Sequence, residues 1–185
     1  MSHIHFTATE KYKKRVMQMG ENPKNIFSFG APGLDNINNL NLLNKEELFK
    51  ALGLDGHERI GVVTYHPVTL EENTAEKQIS ELLEALKLFK DILWIFTMTN
   101  ADTGGRVIIK KTKEFTHNNP KQGKAFQALG QLKYLSLLKN AEVMVGNSSS
   151  GLIEAPSFEL PVVNIGDRQL GRIRTENVVD VCECE

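Results

Sequence analysis

The chain has 185 residues, which is enough for one domain with a buried core and short for two. Hydrophobic residues make up 41% of it and charged residues 24%, a composition that excludes disordered, collagen-like and coiled-coil chains. The 22 basic and 23 acidic side chains give a formal charge of -1, so no global electrostatic field attracts nucleic acid or an anionic membrane.

The cysteines and the absence of long apolar runs limit the environment of the protein. Cys182 and Cys184 are too few for a disulfide framework and lack the second ligand pair of a zinc site, so we expect reduced thiols and no metal. No apolar run approaches the roughly 18 residues of a membrane span, and residues 1–6 do not resemble a signal peptide. We therefore expect a cytoplasmic protein without nucleic-acid or membrane partners.

The first part of the chain predicts short elements. A capping box that starts at Thr7 predicts a helix over residues 8–19, and an apolar run predicts a strand over 25–30. A Gly-Ala-Pro-Gly segment then breaks regular structure. A second capping box predicts a helix from Asn44 to about Leu52.

The rest of the chain alternates apolar runs with helical patterns. The predicted strands lie at 59–65, 92–98, 142–146 and 161–165, and the predicted helices at 74–90, 103–112, 129–139 and 149–158. The strands are unbroken apolar runs, which is typical of a parallel sheet covered on both faces. We predict one α/β domain over residues 1–185, a doubly wound, Rossmann-like parallel sheet.

A loop of small polar residues follows the predicted strand 142–146. This serine loop reads Gly-Asn-Ser-Ser-Ser-Gly over residues 146–151 and leads into a predicted helix. In an open parallel sheet, ligands bind beyond the carboxyl ends of the strands. Hydroxyls, free amides and a helix N-terminus favour an anion such as phosphate, while a plain turn with a serine N-cap explains the same pattern. The chain has neither the glycine-rich dinucleotide pattern nor a Walker loop.

Three further polar residues are predicted to lie at strand ends. His66 follows the strand 59–65 and Asn100 follows the next strand, although a packed histidine or an ordinary turn would show the same pattern. Arg168 lies in a segment that holds three of the six arginines, which indicates either a phosphate contact or a solvated cationic loop. Their convergence on one sheet edge predicts an anion-binding crevice for a phosphorylated ligand.

Several blocks spread over nearly the whole chain match a family pattern. They are residues 2–9, 30–35, the Tyr-His-Pro-Val-Thr of 65–69, the Asn-Ala-Asp of 100–102, 146–156, and 164–169 with the Gly-Arg of 171–172. In these blocks the chain resembles the hydrolysing UDP-N-acetylglucosamine 2-epimerases of sialic-acid and bacterial surface-sugar biosynthesis. The family fold is similar to the two-domain glycosyltransferase-B arrangement. This chain resembles its second domain, so the resemblance implies an amino-terminal partner domain.

The resemblance implies a function and a set of site residues. The family converts UDP-N-acetylglucosamine to UDP and N-acetylmannosamine through a 2-acetamidoglucal intermediate, with no cofactor or metal. By motif position, the resemblance implies that Ser148 and Ser149 bind the diphosphate and that Glu154 binds the ribose hydroxyls. It implies that Arg168 binds the nucleotide or its phosphates and that Asn100 lies on the nucleotide side of the cleft. His66 is the catalytic candidate and would act on the diphosphate leaving group.

The same resemblance limits what we expect of the isolated chain. It places the acid and base in the absent domain, so the chain should bind UDP weakly without turnover, and its exposed cleft face should favour association into a homo-oligomer. Two other functions stay open, the UDP-sugar-binding half of a glycosyltransferase and a non-catalytic sugar-nucleotide-binding domain. The Tyr-His-Pro-Val-Thr block and the serine loop favour the epimerase over the transferase.

Overall fold

The structure is a computed structural model that describes residues 2–55, 59–68, 74–98 and 104–182. The chain divides into two compact units, Met1–Asn41 and Leu42–Glu185. The single UDP-binding domain over 1–185 stays a prediction, and the main sheet lies entirely in the second unit. No helix in the described ranges is long and apolar enough to cross a bilayer.

The first unit contains a two-stranded parallel ribbon and short helices. Its elements are β1 (His5–Thr7), α1 (Glu10–Gln18), a 3-10 turn (Pro23–Asn25), β2 (Ile26–Ser28), a second 3-10 turn (Pro32–Leu34) and α2 (Asp35–Asn39). The predicted capping box at Thr7 is wrong, because that residue belongs to β1 and its hydroxyl donates to the Phe27 carbonyl at 3.3 Å. The N-cap is Thr9, whose Oγ1 accepts from the Tyr12 amide at 3.2 Å.

The second unit is a six-stranded sheet with flanking helices. Its elements are α3 (Lys45–Leu52), β3 (Arg59–Thr64), α4 (Ala75–Lys87), β4 (Ile92–Thr97), α5 (Gly105–Asn118), β5 (Gly123–Phe126), α6 (Gly130–Asn140), β6 (Val143–Gly146), α7 (Ser150–Ile153), a 3-10 turn (Ala155–Phe158), β7 (Val162–Ile165) and β8 (Val178–Val181). All five strand pairings are parallel, in the order β5-β4-β3-β6-β7-β8. The predicted Rossmann-like fold is confirmed.

The strand order reverses between β3 and β6. From β3 the chain builds outward to β4 and β5, then crosses back to β6 and builds outward to β7 and β8. The core contains side chains from both the central strands and the covering helices, among them Ile60, Val62, Ile79, Ile95, Leu137 and Leu138. Such a reversal leaves a crevice at the carboxyl ends of the two strands. We therefore expect the ligand site at the residues that follow β3 and β6.

The secondary-structure prediction is wrong at the two edge strands of the sheet and in the region after β6. β5 and β8 were not predicted, because both are short edge strands that carry a Lys or Asp within four residues. The predicted helix 149–158 is wrong, since α7 ends after four residues and Pro156 lies in the 3-10 turn that follows. Proline lacks the amide that a continued α-helix requires.

The prediction of reduced thiols is wrong at Cys182, which is disulfide-bonded.

Candidate functional site

The carboxyl ends of β3 and β6 are held unusually close. Thr64 and Gly146 are register partners at the end of this strand pair. Gly146 has a φ of +141°, and a Cβ built on it would lie 2.0 Å from the Thr64 carbonyl oxygen. Only glycine fits this position, so the serine loop begins directly beside the chain that leads to His66.

Asn147 connects three segments of the site. Its side chain is 0% exposed; Oδ1 accepts from the His66 amide at 2.7 Å, and Nδ2 donates to the His66 carbonyl at 2.8 Å. Its own carbonyl accepts from Arg168 Nη1 at 3.1 Å and from Gln169 Nε2 at 2.8 Å. We name these four hydrogen bonds the Asn147 network. They bring the predicted residues His66 and Arg168 to the serine loop.

Ser148 and Ser149 leave backbone donors available. The Ser148 hydroxyl accepts from the Ser150 amide at 3.3 Å, and the Ser148 and Ser149 carbonyls accept from amides of α7. Within the described ranges, the amides of Ser148 and Ser149 donate to no other group. Because α7 has only four residues, the long helix dipole expected here is missing, and the anion-binding capacity of the loop depends on its own amides and hydroxyls.

Glu154 lies where α7 meets the 3-10 turn and is half-buried. Burial raises the pKa of its carboxyl, and a hydrogen bond with the Ser150 side chain opposes that rise. Tyr134 donates its hydroxyl to Ser150 Oγ at 2.7 Å, and burial raises the pKa of Tyr134 as well. In the described part of the chain, Glu154 Oε2 is buried and has no hydrogen-bond partner. This oxygen is an acceptor that lacks a donor.

The arginine-rich segment divides into different roles. Arg174 is structural, because its Nε donates to Asp180 Oδ2 at 3.1 Å and its Nη1 donates to the Gln169 carbonyl at 2.6 Å. The Arg174 guanidinium holds the pKa of the Asp180 carboxyl below its usual range. Arg168 is exposed, and its guanidinium donates to the Asn147 carbonyl in the serine loop. Asn100, the remaining predicted site residue, lies outside the described residues.

Sequence reasoning missed the residues that support the site. Asn147 was noted only as part of the serine loop, and Tyr134, Ser150 and Gln169 were not assigned roles. Gln169 is 2% exposed and bonded to Asn147, and its Oε1 finds no partner among the described residues. Gln169 lies in the sequence block 164–169 that matches the family pattern, and this is the sequence signal that could have identified it.

A groove elsewhere in the second unit contains none of the predicted site residues that the structure describes. It has a volume of about 1220 Å³ and lies along β5 and α5, with Lys113 and Lys124 in its lining. The Lys124 ammonium donates to the carbonyls of Leu52 and Gly53 at 3.0 and 2.6 Å. This lysine therefore caps the end of α3.

The sequence comparison decides the family. The model of the UDP-N-acetylglucosamine 2-epimerase family matches residues 1–185. The chain belongs to this family. A Campylobacter jejuni relative named GDP/UDP-N,N'-diacetylbacillosamine 2-epimerase (hydrolyzing) is 45% identical over 180 residues, which are 97% of this chain and 47% of that protein. The polysialic acid biosynthesis protein P7 of Escherichia coli is 44% identical over 185 residues, covering 98% of this chain and 46% of that protein.

The epimerase-family chain thus spans about half the length of the curated relatives that it matches. Among solved structures, the Methanocaldococcus jannaschii UDP-GlcNAc 2-epimerase in complex with UDP-GlcNAc and UDP aligns with a TM-score of 0.73 at 22% identity, covering 98% of this chain and 51% of that one. The Staphylococcus aureus MnaA-UDP co-structure aligns with a TM-score of 0.65 at 13% identity, covering 88% and 43%. These likenesses show the shared fold, and the predicted resemblance is confirmed.

Proposed function

We propose that this chain is the UDP-binding half of a hydrolysing UDP-sugar 2-epimerase. The observation that carries the proposal is the meeting of His66, the serine loop and Arg168 at the reversal of strand order. Membership of the epimerase family supports the choice of a sugar nucleotide over other phosphorylated ligands. A glycosyltransferase half and a non-catalytic binding domain have no comparable observation in their favour.

The diphosphate would bind the serine loop. The available amides and the hydroxyls of Ser148 and Ser149, together with the guanidinium of Arg168, can donate to phosphate oxygens. Hydrogen bonds to a charged acceptor are stronger than those between neutral groups. An imidazole at His66 can donate to, or carry positive charge beside, the oxygen of a departing UDP. Donors fixed in place stabilise a leaving group as its negative charge develops.

The ribose would bind Glu154. The buried Oε2 of this carboxyl has no donor in the described part of the chain. Ribose hydroxyls are donors of the right kind, and their binding would satisfy the acceptor. Because the ionised carboxylate accepts two hydrogen bonds and the protonated acid accepts fewer, ribose binding would favour the ionised form of a group whose pKa burial raises.

The proposed reaction has two steps. In the first, a base removes the proton at C2 of the sugar, and the electrons of the broken C2–H bond form a C1=C2 double bond. The C1–O bond breaks at the same time, and its electron pair leaves on the UDP oxygen. In the second, water adds across that bond, with hydroxyl at C1 and the proton on the opposite face of C2. For UDP-N-acetylglucosamine the products are UDP and N-acetylmannosamine. The task of this half is to hold the leaving group in position.

The remaining half of the enzyme would be an amino-terminal partner domain. The chain covers about half of each relative, and the acid and base would lie in the other half. In the first unit, Phe6 and Phe29 are 72% and 77% exposed and stack with Phe27 on the β1–β2 ribbon. A short parallel ribbon is not stable alone, so this apolar face fits a buried position against the partner domain. In the isolated chain it would favour association into a homo-oligomer. A cytoplasmic location stays a prediction.

The sugar has two candidates. UDP-N-acetylglucosamine is the substrate that gives the family its name, whereas the Campylobacter jejuni relative is named for diacetylbacillosamine. A protein extended to the length of its relatives should be assayed with both UDP-sugars, with release of UDP as the measurement. The sugar with the higher kcat/KM is the substrate, and turnover of neither would contradict the epimerase assignment.

Calorimetric titration with UDP tests the binding half directly. A Ser148→Ala/Ser149→Ala double variant should bind roughly 100-fold or more weakly, because each lost bond to a charged group is worth on the order of 1.5 to 3 kcal/mol. Ser80→Ala is the control, since that hydroxyl lies on α4 and donates to the Glu76 carbonyl. Unchanged affinity in a folded double variant would exclude the two hydroxyls as diphosphate ligands, because the variant keeps both backbone amides.

A further inference from the structure

The Asn147 side chain continues the β3–β6 pairing beyond the last paired residues. The main-chain register ends at Thr64 and Gly146, and the Asn147 amide still donates to the Thr64 carbonyl at 3.2 Å. From that point the side-chain amide replaces the backbone, because it accepts from the His66 N–H at 2.7 Å and donates to the His66 carbonyl at 2.8 Å. Two hydrogen bonds of opposite direction restrain both the position and the rotation of the His66 backbone.

The other side of the same residue holds the loop after β7. The Asn147 carbonyl accepts from Arg168 Nη1 at 3.1 Å and from Gln169 Nε2 at 2.8 Å. One fully buried residue therefore joins the ends of β3 and β6 to the loop that carries Arg168. The side chain itself is enclosed, so it does not contact a ligand in the crevice.

We propose that Asn147 is a positioning residue that sets His66 relative to the serine loop for diphosphate binding. The inference rests on the proposed UDP site. An amide is required because the position needs an acceptor for the His66 N–H and a donor for the His66 carbonyl. An ionised carboxylate supplies only the acceptor, and it would lie against the carbonyl oxygen in a buried site.

The first test is UDP affinity in the Asn147→Asp variant of this chain, measured by calorimetry. We expect binding about 10-fold weaker, since loss of one buried hydrogen bond changes an equilibrium by roughly that factor. Asn140→Asp is the matched control, because Asn140 Nδ2, like Asn147 Nδ2, donates to main-chain oxygen; its acceptors are the carbonyls of Leu43 and Ser136 at 3.2 and 2.8 Å. It should lose stability without losing UDP affinity, and equal effects of the two changes would overturn the inference.

The second test asks whether Asn147 acts through His66. In a His66→Ala background, Asn147→Asp should change UDP affinity by less than about 3-fold, because the positioned ring is gone. A full 10-fold effect in that background would show that Asn147 does not act through His66 and would overturn the inference.

The third test needs no ligand. Hydrogen exchange of the His66 amide should become at least about 10-fold faster in Asn147→Ala than in the parent chain, whereas Asn140→Asp leaves it unchanged. A parent chain that binds no UDP would refute the proposed function. The Asn147 inference would then be judged by this exchange rate, and unchanged protection of His66 would overturn it.

Discussion

Gly146→Ala tests the close approach on which the site depends. A Cβ at this position would lie 2.0 Å from the Thr64 carbonyl oxygen, whereas real Cβ atoms keep at least about 3.0 Å, so the two strand ends must separate by about 1 Å. Overpacking of this kind costs roughly 1 to 3 kcal/mol, and the φ of +141° adds roughly 1 to 3 kcal/mol for a residue with a side chain. We expect a loss of about 2 to 6 kcal/mol in the free energy of unfolding.

Urea denaturation followed by tryptophan fluorescence measures this loss. Trp94 is the single tryptophan of the chain and is buried in β4, so its emission reports the six-stranded sheet. Gly130→Ala is the control, because Gly130 has a φ of +69° with nothing within 4 Å of an added Cβ. It should lose only about 1 to 2 kcal/mol, the conformational cost of the left-handed region. If Gly146→Ala is no more destabilising than Gly130→Ala, the close-approach argument is refuted.

Four further predictions concern the candidate site and the helices. Glu154→Gln should weaken UDP binding far more than pyrophosphate binding in calorimetry, and equal losses would indicate a purely structural carboxylate. Because burial raises the pKa of Glu154 above 4.5, the folded state holds this proton longer than the unfolded chain. The free energy of unfolding should therefore fall as pH rises from about 4.5 through the raised pKa, and Glu154→Gln should remove that slope in urea titrations across this range. Incubation of the 185-residue chain with UDP-N-acetylglucosamine should release no UDP above background, since lost positioning can be worth roughly 7 to 11 kcal/mol; steady turnover would place the acid and base in this half. Asn44→Ala should lower the free energy of unfolding by about 1 kcal/mol through loss of the α3 capping box, and no change in the urea midpoint would contradict that role.

The sequence by itself determined the elements whose signals are local. Asn44 and Glu47 form both hydrogen bonds of the predicted capping box, and Gly53 ends α3 in the left-handed conformation. The apolar runs of β3 and β4 and the helical periodicity of α4 appear in the structure within a few residues of their predicted bounds. These features depend on residues that are close in sequence, so the sequence is sufficient to predict them.

The positions of the polar strand ends were also predictable in part. Parallel strands place their carboxyl ends at one edge, so the sequence predicts that His66 and Ser148 lie near each other. The serine loop, however, continues into a four-residue helix and not a long one, since Pro156 lies in the 3-10 turn that follows. This proline is a local signal for the break.

Only the tertiary structure decided which residues hold the site together. Asn147 and His66 are 81 residues apart in sequence, and the two hydrogen bonds between them exist only because β3 and β6 are sheet neighbours. Likewise, the fold separates Arg168, which is bonded to the serine loop, from Arg174, which is bonded to Asp180. Both arginines have the same chemistry in the sequence. Their roles differ because long-range packing, not residue type, determines which acceptor each guanidinium reaches.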